Sequence, residues 1–107
     1  MDAALHALAD PRRRSILALV RDRELAAGQI AARFDVTRPA ISQHLAVLRA
    51  AGLVSERRDG TRRLYRARPA GVEDLRAWLE DFWDTGLERL VAAAEAEERD
   101  AANGDRG

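Results

Sequence analysis

The chain has 107 residues, 47% of them apolar and 34% charged, enough for one modest core but not for a core plus a separate catalytic domain. It contains no cysteine, which excludes a disulfide framework, a thiolate metal site and a thiol redox sensor. Its charges sum to zero, no stretch is apolar for long enough to span a bilayer, and the opening MDAALHALAD lacks the basic segment of a secretory signal, so a cytoplasmic protein without membrane contact is expected.

In chain order, a short first helix is expected over residues 2–9, with Leu5 and Leu8 on one side. Asp10-Pro11 reads as an N-cap followed by proline at the first helical position, opening a second helix to about Arg21 with Ile16, Leu17 and Val20 inward. A third short helix over residues 26–34 offers Ile30 and Phe34 to the core. After Asp35-Val36, Thr37 is placed to cap a fourth helix, in whose first turn Pro39 is tolerated because its missing N–H is not needed there. That helix ends at Ala51-Gly52, where glycine takes the left-handed position past the last turn.

LVSERRDGTRRLYRA follows, two strand-like runs around Asp59-Gly60-Thr61 that form a hairpin closed by Pro69, with Tyr65 anchoring it to the core. From Gly71 onward the sequence reads as one helix of about 27 residues and roughly 40 Å. Its apolar positions, among them Trp78, Phe82, Trp83, Leu87 and Leu90, form a stripe wider than one packing partner requires, so something beyond the domain is expected to cover the excess. Residues 1–98 are taken as the folded domain and residues 99–107 as a flexible polar tail.

The fourth helix carries the main functional signal. Ile41, Leu45 and Leu48 fall on one side at about 100° per residue, whereas Pro39, Ser42, Gln43, Ala46 and Ala50 fall on the other. A solvated helix face usually mixes charges of both signs; this one is small, polar and almost uncharged. Two short helices, a tight connection, a capped helix and a hairpin make a winged helix-turn-helix, whose second helix enters the major groove of DNA and must be small enough to approach and polar enough to read base edges. Gln43 can pair bidentately with adenine, Ser42 can bond several bases, and Thr37 and Arg38 at the helix start are placed for phosphate. Pro39, His44 and Arg49 complete the candidate set on this helix, with His44 on the flank, either a structural hydrogen-bonding residue or a base reader. The hairpin carries Arg57, Arg58, Arg62, Arg63 and Arg66, and Arg58, Arg62 and Arg63 are the candidate wing contacts. A charged hairpin also serves simply to prevent edge-to-edge aggregation.

Charge segregation agrees with a polyanionic partner. Residues 11–68 hold 14 arginines against 5 acids, a balance of +9, while residues 69–107 hold 4 against 11, a balance of −7. Genome base composition explains why the cations are all arginine but not why they collect in one half.

Taken together, Leu5-x-x-x-x-Asp10-Pro11-x-Arg13, Ser42-x-His44-Leu45-x-x-Leu48 with Ala51-Gly52-Leu53-Val54, and Asp59-Gly60-x-Arg62 with Tyr65 resemble the ArsR/SmtB-type family of small bacterial winged-helix repressors, over about residues 5–90. The resemblance implies a mainly α fold with a small β-hairpin and a long C-terminal dimerisation helix. It also implies a homodimer joined through the first and last helices, here Leu5, Leu8, Trp78, Phe82, Trp83, Leu87 and Leu90, which binds an imperfect palindrome in double-stranded DNA and represses transcription. Members that sense arsenic or cadmium carry a Cys-x-Cys pair after Glu-Leu; here Glu24-Leu25 is followed by Ala26-Ala27-Gly28. Zinc and nickel sensors place histidines on the last helix, and this one has none, so no metal or other cofactor is expected and the inducer is not specified. His6, in the first helix, is a packing or surface residue. A winged-helix protein-interaction module that does not touch DNA is the alternative. No nucleophile, base and orienter occur in a recognisable arrangement, so no enzyme activity is expected.

Overall fold

The computed structural model describes residues 1–104, and the chain divides into two units, Met1–Leu75 and Arg76–Gly107. In the first, helices α1 (Asp2–Leu8) and α2 (Pro11–Leu19) are followed by a two-residue strand β1 (Leu25–Ala26), α3 (Ala27–Arg33), α4 (Arg38–Ala50), the hairpin strands β2 (Val54–Asp59) and β3 (Arg62–Ala67), and the opening turns of α5 (Pro69–Asp81).

Local chemistry accounts for most of these boundaries. Asp10 caps α2 by accepting from the backbone N–H groups of Arg12 and Arg13 at 2.7 and 3.4 Å. Burial raises its carboxyl pKa, but those two bonds, with the charges of Arg13 and His44, outweigh burial and hold it below the ordinary value. Thr37 caps α4 through its Oγ1, which accepts from Ala40 N at 3.3 Å. At the other end Gly52 turns the chain at a φ of +75°, and Leu53 N donates back to Leu48 O at 3.0 Å. The hairpin pairs Asp59 with Arg62, leaving Gly60-Thr61 as a two-residue loop. Gly60 alone of the two has positive φ, the signature of a type II′ turn, whose twist matches that of the flanking strands.

The core is built from Ile16 and Val20 of α2 and the turn after it, Ile30 of α3, Ile41, Leu45 and Leu48 of α4, and Leu53 and Val54 leading into β2, all essentially inaccessible to solvent. Each such side chain stabilises the fold by about 1.5–3 kcal/mol relative to exposure. Helix α1 packs through Ala4 and Ala7, small enough for close approach, and leaves Leu5 exposed and Leu8 half-buried. Arg13 and Arg14 satisfy the open carbonyls at the end of α1: Arg13 Nε donates to Ala7 O at 2.6 Å and Arg14 Nη1 to Leu8 O at 2.8 Å. Part of the basic half is therefore structural.

The sheet has three strands in the order β1-β3-β2, not the two of an isolated hairpin. Strand β1 pairs Leu25 with Tyr65 and Ala26 with Leu64, and being only two residues long it has no alternation to read in sequence. Consequently α3 begins at Ala27, one residue later than expected, with Gln29 Oε1 accepting from Ala26 N at 2.9 Å. Helix α5 starts at Pro69 instead of Gly71, proline being suited to the first helical position as well as to ending a strand.

The second unit is helical throughout its described residues. After α5, residues Phe82–Leu87 form a π-helical segment, and α6 runs from Glu88 to Gly104. Single uninterrupted α-helical geometry was the expectation; the extra residue per turn arises at the sequence FWDTGL, which combines two adjacent aromatics with a glycine. Trp78 and Phe82 stack at 5.7 Å, and Phe82 and Trp83 at 6.1 Å between ring centroids. Residues 99–104, assigned above to the polar tail, continue α6, and the remainder of that tail lies outside the described residues. Among the described residues no helix is long and apolar enough to cross a membrane.

Candidate nucleic-acid interface

The outward face of α4 is as the periodicity requires. Pro39, Ser42, Gln43, Ala46 and Ala50 are all exposed, opposite the buried Ile41, Leu45 and Leu48. Thirteen residues give α4 a length of about 20 Å. Between it, the start of α3 and the wing lies a groove of about 780 Å³. Arg38, Ser42, Ala46 and Arg49 form one wall, and Thr61, Arg62, Arg63 and Tyr65 belong to the other.

Five of the sequence-assigned residues, Arg38, Ser42, Arg49, Arg62 and Arg63, are thus brought to one concave surface. Thr37, Pro39 and Gln43 are exposed on α4 or at its cap but do not line the groove. His44 is half-buried on α4, and its charge is among the influences that lower the Asp10 pKa. Arg58 is exposed, sits opposite Arg63 across the hairpin, and makes no hydrogen bond or ion pair among the described residues.

The arginines are not equivalent. Arg57 makes a two-pronged contact with Glu24, Nε to Oε2 at 2.9 Å and Nη2 to Oε1 at 3.3 Å. That bond from Arg57 lowers the Glu24 pKa, and the same pair raises that of Arg57. Arg62 Nη2 donates to Gln29 Oε1 at 3.1 Å, tying the wing to the start of α3. Arg49 Nη1 donates to Glu56 Oε2 at 2.7 Å, and Arg63 Nε lies 3.4 Å from Glu56 Oε1. Arg12 stacks over the Phe34 ring at 5.0 Å. Sequence reasoning singled out Arg58, Arg62 and Arg63 among the wing cations without assigning them partners, and passed over Gln29 and Glu56. The turn at Gly60-Thr61 contains the missing signal for Glu56: it sets the register in which Glu56 opposes Tyr65 and lies diagonal to Arg63 on the same face.

On α4 the exposed Ser42, Gln43, Ala46 and Ala50 carry no charge, while Arg38 and Arg49 of the same helix and Arg62 and Arg63 of the wing place guanidinium groups along the groove. Among the described residues no three His, Asp or Glu side chains gather in a metal-holding group.

The profile of bacterial regulatory proteins of the arsR family matches residues 10–56, the segment from the cap of α2 to Glu56. The HTH-type transcriptional regulator Rv2034 of Mycobacterium tuberculosis is 45% identical over 93 residues, covering 84% of this chain and 87% of that protein. The chain belongs to the ArsR family. A second relative in this family-wide similarity, the transcriptional repressor SdpR of Bacillus subtilis, is 34% identical over 86 residues, covering 80% of this chain and 96% of SdpR. Among solved structures, that of the homodimeric winged helix-turn-helix DNA-binding domain Mb0332 from Mycobacterium bovis, a possible ArsR-family transcriptional regulator, superposes with a TM-score of 0.65 at 35% identity. That superposition covers 78% of this chain and 77% of the other. This ArsR-family chain therefore carries the winged helix-turn-helix fold of DNA-binding transcriptional regulators, mainly helical with a small antiparallel sheet and a long helical C-terminal segment.

Proposed function

We propose that this ArsR-family protein is a homodimeric transcriptional repressor that reads an imperfect palindromic operator, has no catalytic role, and responds to no metal through the family's usual ligand positions. The observation that carries the reading is the exposed face of α4, on which Ser42, Gln43, Ala46 and Ala50 carry no charge, together with the groove that Arg38 and Arg49 of α4 and Arg62 and Arg63 of the wing line. Gln43 and Ser42 read base edges in the major groove, with Ala46 permitting close approach. Arg38, Arg49, Arg58, Arg62 and Arg63 hold the backbone, joined by the Thr37 hydroxyl, which can donate outward while its oxygen caps the helix.

Support for the dimer comes from the C-terminal unit, where Phe82, Trp83, Leu87 and Leu90 are 51%, 61%, 40% and 67% exposed in the single chain. So much exposed aromatic and aliphatic surface on one helical segment marks an association face. A second copy covers it, and Leu5 and Leu8 of α1 join the interface. Twofold symmetry then sets two reading helices against two half-sites.

The test is selection of bound fragments from genomic DNA, followed by footprinting and a salt titration on the selected sequence. Protection of two half-sites centred about 10 bp apart or a multiple of that, with affinity falling steeply as salt rises, is expected. Binding that ignores salt, together with wing arginines that can be removed without effect, would favour the protein-interaction module instead.

A further inference from the structure

Glu56 brings a carboxylate into the lining of the arginine-rich groove. It lies on β2, on the face shared with Val54 and Arg58 and opposite the buried Tyr65. Its side chain is 11% exposed, whereas those of its two partners, Arg49 and Arg63, are 59% and 56% exposed. Each carboxylate oxygen serves a different element: Oε2 accepts from Arg49 on α4 at 2.7 Å, and Oε1 faces Arg63 on β3 at 3.4 Å. One half-buried anion thus couples the helix to the wing through two cations that remain open to solvent on their outer edges.

We propose that Glu56 is a selectivity-determining positioning residue, which locks the guanidinium groups of Arg49 and Arg63 into a fixed pair so that both meet phosphate only on a duplex of matching groove geometry. The proposal rests on the DNA-binding reading above. Two physical effects follow from the arrangement. A guanidinium has five N–H donors, so one spent on Glu56 leaves others for phosphate, and the rotamer entropy of the arginine is already lost before DNA arrives. The carboxylate meanwhile repels any phosphate that approaches and cancels one of the two positive charges. On matched DNA the fixed geometry offsets that repulsion, whereas on unmatched DNA only the repulsion is felt. Glu56 therefore weakens indiscriminate binding more than operator binding.

The experiment measures equilibrium binding of the full-length protein to a genome-selected operator duplex and to a scrambled duplex of equal length, from 50 to 200 mM salt. Wild type, Glu56→Gln, Glu56→Asp, and Glu56→Gln in an Arg49→Ala/Arg63→Ala background are compared. Removing two carboxylates per dimer should steepen the salt slope by about two and tighten scrambled-duplex binding by about tenfold at the lowest salt, so that Glu56→Gln loses about tenfold in selectivity. Glu56→Asp keeps the charge but is too short to hold both arginines; its salt slope should stay near that of wild type while selectivity still falls, a split that a purely electrostatic mask would not give. In the background lacking both arginines, Glu56→Gln should tighten operator and scrambled duplex alike through lost repulsion, leaving selectivity unchanged. Unchanged selectivity in both single variants, or a Glu56→Gln loss of selectivity that persists without the arginines, overturns the proposal. Should Glu56→Gln melt below the assay temperature, Glu56→Asp carries the decision. A wild-type protein that binds neither duplex at any salt sinks the DNA-binding reading itself, and this proposal with it.

Discussion

Gly71 offers a sharp test of how the wing is joined to the helix that follows it. A Cβ at this position would lie 1.8 Å from the carbonyl oxygen of Gly52 and 2.8 Å from its carbon, the residue that terminates α4. An ordinary carbon–oxygen contact is about 3.3 Å, so alanine forces a retreat of roughly 1.5 Å. Retreat is opposed by the 2.8 Å bond from Arg68 N to Leu53 O, which pins the start of α5 to the end of α4. Overpacking costs about 1–3 kcal/mol, and straining that bond adds about 1 kcal/mol. Against these stands a gain of about 1 kcal/mol from replacing glycine inside a helix. Gly71→Ala should therefore destabilise the protein by about 2 kcal/mol, a fall in Tm of roughly 8–16 °C. Gly28→Ala is the matched control: its Cβ would meet nothing nearer than the Arg38 guanidinium carbon at 3.9 Å, so the helix-propensity gain should stand and Tm should rise by a few degrees, about 4–8 °C at most. Thermal melts followed by circular dichroism decide the matter. A Gly71→Ala protein that melts with or above wild type would show that the close approach to Gly52 is not there in solution.

Further outcomes follow from other parts of the molecule. Trp83→Glu with Leu87→Glu places two charges on the exposed face of the C-terminal unit and should yield monomers by light scattering; a dimer that survives both changes has its interface elsewhere. Gln43→Ala should cost about 1–3 kcal/mol per half-site on the operator and flatten discrimination at one base pair, whereas Arg58→Ala should weaken all duplexes alike and reduce the salt slope by about one per contact. Equal losses on operator and scrambled DNA for Gln43→Ala would assign that side chain to holding instead of reading. Asp10 and Glu24 both have folded pKa values below their ordinary 3.8 and 4.5, so the stability they contribute is whole above those values and is lost as pH falls through the depressed ones. Glu24→Gln should accordingly make stability fall less steeply with acidification in denaturant titrations, and an unaltered acid limb would mean that the exposed pair with Arg57 contributes nothing.

Much of the first unit was legible in its residues because the deciding interactions are local. Caps at Asp10 and Thr37, the left-handed glycines at 52 and 60, and the apolar period of Ile41, Leu45 and Leu48 each involve neighbours within a turn or two of the chain. The uncharged outward face of α4 follows from the same periodicity, so the candidate reading residues were accessible before any coordinates. Tertiary structure alone decided what depends on distant segments meeting. Strand β1 exists because Leu25 and Ala26 find Tyr65 and Leu64 some forty residues later, a pairing too short to leave a pattern. The arginines were visible in number but not in allegiance. Arg13 turned out to close α1, Arg57 to bind Glu24 across 33 residues, and Arg49 and Arg63 to share Glu56. A charge count adds cations without knowing which carboxylate or carbonyl each will reach, because ion pairing depends on separation in space, and only folding sets those separations.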